Sequence, residues 1–411
     1  MSELDRLWQD LCARTDYEKC AKPRAARFRL DTIRGLCARL GNPQWAVPAV
    51  HVAGSKGKGT VCYYLARGLQ ASGQKVGLYT SPHLSDWRER IMIDGEFATE
   101  EQLISGMRQV LEASDGSETF FDLLTALAFV VFREAGCTAQ VIETGLGGRF
   151  DSTNVLHALA AVVVTVEREH TDVLGHDLAG IALEKAGIFH GHAQLWAGPD
   201  LAPEVKAVLQ QRAQEVGQEL RRGGSEQDMS QRPLATPMQH PLRHVREDFY
   251  LAVDVLHSVN HTFPGSALAL QSLPPQALVL PGRLELRQLP DGRPVLFDVA
   301  HTEVSLPPVL QAFRAQATAP SAVLFALRDD KDAAALAKTL AEHGPRPKEE
   351  SWFLMPAGDH PRSADPDTIA PYFDAEALPE VAFPEGPQCF LVTGSTYLVG
   401  ALRPLTDEPR P

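Results

Sequence analysis

Long apolar runs are missing from this chain of 411 residues. None approaches the roughly 20 residues that cross a bilayer, so no membrane partner is expected. Surplus positive charge is missing too. The formal net charge is −13, which argues against nucleic acid as a partner, because a phosphate backbone asks for a basic surface. Any anionic ligand must then meet positive charge concentrated in its own site. The six cysteines (12, 20, 37, 62, 137 and 389) form neither close pairs with zinc-ligand spacing nor a disulfide framework. The start of the chain shows no basic segment followed by an apolar one, so a cytoplasmic protein with reduced thiols is expected. Nothing in the sequence suggests a partner protein, and a monomer is expected. What remains, 44% apolar and 22% charged residues, is ordinary globular composition in a chain long enough for two domains.

The chemistry begins at residues 47–60. An apolar run from Val47 to Ala53 meets glycines at 54, 57 and 59, and a helix-like segment, Thr60 to Ala71, follows. Strand, glycine loop and helix in that order hold a phosphate: glycines let backbone N–H groups turn inward, and the helix N-terminus adds positive potential. Lys58 can reach terminal phosphates, and the Thr60 hydroxyl can ligate magnesium. The spacing is not the standard Walker one. It has one residue fewer before the Gly-Lys pair, and Gly59 intervenes between the lysine and the hydroxyl. The plainer alternative is a turn with a solvated lysine.

Several later strands end in charge. A short strand, Gln74 to Thr80, leads into Ser81 and a loop with Pro82, His83, Arg88 and Arg90. Helices are expected from Thr99 to Ala113 and from Phe120 to about Ala135. A buried run, Ala139 to Ile142, ends in Glu143 and a glycine-rich stretch. Another, Ala160 to Val166, runs into Glu167–Thr171, which contains His170. In open parallel sheets ligands bind beyond the carboxyl ends of strands, so Glu143 and His170 are candidates for one metal. Lys185, near a helix end, reads by default as a solvated charge. A helix Pro203 to Val216, a polar loop Arg221 to Gln239 and a helix around Arg246 to Leu256 precede Pro281-Gly282-Arg283. There the alternation restarts with strand Pro294 to Phe297, Asp298 at its end. Two α/β units are expected, 1–283 and 284–411, the second smaller and doubly wound. These residues imply a nucleoside triphosphate, magnesium, and cations at Arg283 and His301 that stabilise a transition state. Kinase, hydrolase, motor and ligase all remain open.

Seven collinear segments, His51–Thr60, Thr80–Gly95, Glu143–Asn154, His170–Ile188, Pro281–Glu285, Asp298–Thr302 and Val392–Gly400, resemble the folylpolyglutamate synthase and dihydrofolate synthase family, a branch of the Mur-type amide ligases. The resemblance implies an α/β fold with a P-loop, parallel-sheet N-terminal ATPase domain and a smaller α/β C-terminal domain. It also implies ATP-dependent joining of L-glutamate to folate, to dihydropteroate, or to both, through an acyl phosphate. A paralogue acting on another pterin and a non-catalytic ATP switch are the alternatives. The cofactors implied are ATP and Mg2+, with K+ as a candidate.

By position, the resemblance puts Gly54, Ser55, Lys56, Gly57, Lys58, Gly59, Thr60, Asp248, Arg283 and Asp298 at ATP. It puts Thr60, Ser81, Glu143, His170 and Lys185 at the metal, the last as an N-carboxylated lysine. Lys58, Lys185 and His301 are the catalytic candidates. Pro82, His83, Arg88, Phe121, Leu124, Thr125, Asp151 and Thr153 are those for folate. Glu169 stands where the family usually has aspartate, and Asp248 where asparagine is common.

Overall fold

Five consecutive buried residues, Ala49–Ala53, form strand β1. Such a run, with no alternation, suits a strand covered on both faces. It lies in an eight-stranded sheet of order β4-β3-β2-β5-β1-β6-β7-β8. The other strands are β2 (Val76–Tyr79), β3 (Ile91–Ile93), β4 (Glu96–Phe97), β5 (Ala139–Glu143), β6 (Ala158–Val163), β7 (Gln194–Ala197) and β8 (Leu220–Arg222). All pairs are parallel except β2 with β3 and β3 with β4. The computed structural model describes residues 2–15, 30–169, 171–225, 238–329, 331–358 and 362–407. The chain forms two units, Met1–Pro82 with Arg88–Leu278, and His83–Trp87 with Val279–Pro411.

In the first unit β1 pairs with β5 on one side and β6 on the other, Val52 opposite Glu143 and Val162. The loops after these three strands therefore leave the sheet side by side, and that adjacency builds the candidate site. Strand β6 stops at Val163 rather than at the expected Val166. Beyond it the backbone serves the glycine loop instead, Thr165 O accepting from Ser55 N at 2.8 Å. The helix expected from Thr60 begins at Lys58 and runs to Ala71, with Gly57 at φ +80° as its N-cap. That left-handed conformation is natural only for glycine.

Edge strand β8 overlaps the start of the polar stretch expected as a loop, and helix Arg243–Ser258 starts three residues earlier than expected. Residues 226–237 of that stretch lie outside the described residues. Helix Phe120–Glu134 opens with a capping box, Thr119 and Asp122 each bonding the other's backbone N–H. Most of that helix is buried, in keeping with its apolar sequence.

The second unit has a six-stranded sheet of order β13-β12-β11-β14-β10-β9. Its strands are β9 (Glu285–Gln288), β10 (Pro294–Phe297), β11 (Ser321–Phe325), β12 (Glu350–Leu354), β13 (Glu376–Ala377) and β14 (Cys389–Thr393). Only β9 runs antiparallel to its neighbour. Its core gathers Val295, Phe297, Leu324, Phe390 and Val392, and Leu84, from the five-residue segment His83–Trp87, packs against it. A Cβ on Gly400 would collide with Leu84 O, so glycine is required where these backbones touch.

Candidate active site

The loop after β1 is fastened to the loop after β6 by paired hydrogen bonds. Lys56 N donates to Thr165 Oγ1 at 2.8 Å, and that hydroxyl donates to Lys56 O at 2.9 Å. Ser55 Oγ donates to Glu167 O and accepts from Glu167 N, at 3.2 and 2.9 Å. Lys56 Nζ pairs with Glu167 at 3.0 Å. Ser55 and Lys56 thus spend their polar groups on the loop's shape. A Cβ on Gly57 would meet Asp248 Oδ1 at 2.8 Å and Val164 Cγ1 at 2.9 Å, so the Asp248 carboxylate borders the loop's turn.

Glu143 is the node between elements. Its Oε1 lies 3.8 Å from Lys58 Nζ, and its Oε2 accepts from Ser81 N at 3.1 Å. Gly59 faces the same carboxylate: a Cβ on it would stand 3.6 Å from Glu143 Oε2. Thr60 is buried in the first turn of the helix. Lys58, Gly59, Ser81 and Glu143, far apart in sequence, therefore share one locus. The donors there, a carboxylate with the nearby hydroxyl residues Thr60 and Ser81, are hard oxygen ligands that suit Mg2+, which keeps several waters. Among the described residues no three His, Cys, Asp or Glu side chains gather for a metal. His170, the expected fourth ligand, lies outside the described residues.

The glycine-rich loop after Glu143 is seated on the helix Leu178–Ala186. Arg149 N donates to Glu184 O at 2.7 Å. A Cβ on Gly148 would fall 2.8 Å from Lys185 O, and one on Gly187 would collide with the Arg149 Cα. Asn154 ties the two together, its Nδ2 donating to Arg149 O and Gly187 O while His190 Nε2 meets its Oδ1 at 2.9 Å. Lys185, read in sequence as solvated, is instead fully buried and pairs with Glu169 at 3.1 Å. Burial pulls its ammonium down to about 8, with Glu169 opposing the fall. Asp151 accepts from Leu146 N, Thr153 N and Thr153 Oγ1. Burial raises its carboxyl above the ordinary range, against these hydrogen bonds.

The candidates for folate differ in burial. The Phe121 ring lies against Gly145, where a Cβ would stand 2.5 Å away. Leu124 and Thr125 are fully buried, Thr125 Oγ1 bonding Tyr79 at 3.1 Å, so the structure places them in the core rather than on an open wall. Thr153 is also fully buried. Pro82 and Arg88 fall in the first unit and His83 in the second. The Arg88 guanidinium stacks over Phe97 at 5.0 Å.

Within the second unit, Asp298 accepts from Leu284 N at 3.0 Å and Ala300 N at 2.8 Å. Its carboxyl is raised by burial, with the Arg283 guanidinium countering. His301 Nδ1 donates to Val299 O at 2.9 Å. Ala300 O accepts from Gly394 N and Thr393 Oγ1, pinning this loop to the end of β14. Sequence reasoning passed over Thr165, Asn154, His190 and the side chain of His51. Their partners are distant in the chain; His51 opens one motif segment and Asn154 closes another, whereas Thr165 and His190 carry no such signal.

No family model matches the chain. A probable dihydrofolate synthetase of Schizosaccharomyces pombe is 29% identical over 396 residues, covering 89% of this chain and 95% of that protein. A dihydrofolate synthase/folylpolyglutamate synthase of Escherichia coli is 33% identical over 287 residues, 66% of this chain and 65% of that one. A solved structure of the bifunctional folylpolyglutamate synthase/dihydrofolate synthase of Yersinia pestis, complexed with AMPPNP and a Mn ion, superposes with a TM-score of 0.79. It is 26% identical, with 98% of each chain covered. Among the described residues no helix is long and apolar enough to cross a membrane.

Proposed function

The chain belongs to the folylpolyglutamate synthase/dihydrofolate synthase family, and from that premise we propose how its residues divide the work of an ATP-dependent ligase that adds L-glutamate to folate. The γ-phosphoryl group of ATP passes to a substrate carboxylate, giving an acyl phosphate. The glutamate amine attacks that carbonyl, phosphate leaves, and an amide and ADP remain. Activation is needed because a carboxylate is a poor electrophile.

The observation that carries the assignment is the meeting of Lys58 and Glu143 at the N-terminus of helix Lys58–Ala71. Gly54–Gly59 hold the phosphates with backbone N–H groups, Lys58 neutralises charge on the transferring group, and Asp248 borders the nucleotide. Mg2+, when bound, supplies a Lewis acid for the phosphate oxygens. Thr60, Ser81, Glu143 and His170 would hold it, with K+ as an additional cation. Lys185 is the N-carboxylated lysine, an exchange of cation for anion that intact mass would register as one added CO2. In the second unit Arg283 and Asp298 serve ATP, and His301 the reacting groups. Pro82, His83, Arg88, Phe121 and Asp151 serve the folate, with Leu124, Thr125 and Thr153 shaping its site from beneath. The enzyme works as a cytoplasmic monomer, without nucleic acid or membrane; its net charge of −13 and free buried cysteines support this.

The test is a mass-spectrometric ligase assay with MgATP, K+ and L-glutamate, offering dihydropteroate in one tube and tetrahydrofolate in another. A one-glutamate gain on tetrahydrofolate alone marks a dedicated folylpolyglutamate synthase. Gain on both marks the bifunctional enzyme, the reading that the name of the Escherichia coli relative favours. No gain on either overturns the substrate assignment.

A further inference from the structure

Strand β1 carries one polar side chain, His51, and it is 1% exposed. Its Nε2 lies 2.8 Å from Thr153 Oγ1, 102 residues away. Thr153 Oγ1 in turn donates to Asp151 Oδ1 at 2.5 Å. The direction of this chain is fixed. Asp151 accepts from two backbone N–H groups and the hydroxyl, so the single hydroxyl hydrogen points at Asp151, and Thr153 can only accept from His51. The imidazole therefore carries a hydrogen on Nε2. Because the three groups are all buried, each bond polarises the next.

We infer that His51 is a positioning residue for the folate side of the site: through Thr153 it fixes Asp151 and with it the loop Gly145–Asn154. This rests on the reading that the loop serves the folate. Asp151 Oδ2 holds the loop's start at Leu146, and Thr153 holds its end, so the carboxylate closes the loop upon itself. His51 anchors that closed loop to the sheet. The ATP loop, three residues beyond His51, has its own anchors at Thr165 and Glu167. Loss of the His51 bond therefore acts on one substrate and not on the other.

The experiment compares His51→Leu, His51→Gln and Asp151→Asn in the full-length enzyme, reading KM for the folate substrate, KM for ATP, kcat and the melting temperature. Leucine removes the donor. Glutamine places an amide N–H at about the reach of Nε2. The expected result for His51→Leu is a rise of about ten-fold or more in folate KM, ATP KM within about two-fold of wild type, and recovery of most of the loss in His51→Gln. If Asp151→Asn raises folate KM and His51→Leu does not, the relay is overturned and the folate reading stands. If neither moves folate KM, the folate reading of the loop fails, and the inference with it. A parallel rise in both KM values with a lowered melting temperature, unrescued by glutamine, reduces His51 to a general core residue and also overturns the proposal.

Discussion

Lys58 Nζ stands 3.8 Å from Glu143 Oε1, one at the first position of a helix and the other at the last of strand β5. Both side chains are mostly buried, which holds the ammonium and the carboxylate in place for the phosphate and cation roles proposed for them. Lys58→Ala removes the positive charge proposed to meet the phosphates. The expected outcome is a fall in ADP release of at least about 100-fold with the fold intact, since Glu143 still accepts from Ser81 N. Glutamate-dependent ADP release and a circular dichroism melt check it.

Stripping divalent ions with EDTA should abolish turnover, and Mg2+ or Mn2+ should restore it, because hydroxyl and carboxylate oxygens such as those of the proposed ligands Thr60, Ser81 and Glu143 suit either hard cation. Glu143→Gln should raise the Mg2+ concentration needed for half-maximal rate by about ten-fold or more, as seen in a metal titration of the assay.

Acid should destabilise the first unit through its buried histidines. Burial pulls His51 down to about 3, and burial, with His192 next, holds His190 below the ordinary value. Both are neutral in the folded state at pH values where the unfolded chain already binds protons. Stability is therefore full above the unfolded value of about 6.5 and falls as pH drops from there toward the folded values. The slope approaches about 1.4 kcal/mol per pH unit for each histidine at most. Urea melts at pH 7.5, 6 and 5 should show it, and His51→Gln should flatten the curve.

Gly187 has an ordinary helical φ of −59°, so alanine there meets no backbone penalty. It meets Arg149 instead, whose Cα and Cβ would both collide with the new methyl group. Gly187→Ala should cost about 1–3 kcal/mol of stability and lift the glycine loop off the helix that bears Lys185. Thermal melts read the first effect and kcat the second.

The glycine loop and the charged strand ends were legible in the sequence because their signals are local: glycines at 54, 57 and 59, and Glu143 directly after an apolar run. Strand β10, helix Ala333–Glu342 and strand β14 begin where their apolar patterns do. Lys185 was not legible from its neighbours, since a lysine near a helix end is usually solvated and only the resemblance marked it. Its burial depends on Gly148 and Gly187 allowing a loop to press onto the helix. The apolar pattern runs past the end of strand β6 because Val164 and Val166 look like ladder residues, whereas Thr165 O is claimed by Ser55 N. His51, Asn154 and His190 bond across 102, 33 and 36 residues, a separation that no periodicity records.

The second unit is completed by His83–Trp87, five residues that precede the rest of it by almost two hundred positions. During synthesis Leu84 leaves the ribosome long before Gly400, the glycine whose backbone must meet it, has been translated. The first unit's residues up to Leu278 can be made while that short segment still waits for its core. A fragment beginning at Val279 would lack this strap, and added back as a separate peptide the strap would have to compete with its own dilution.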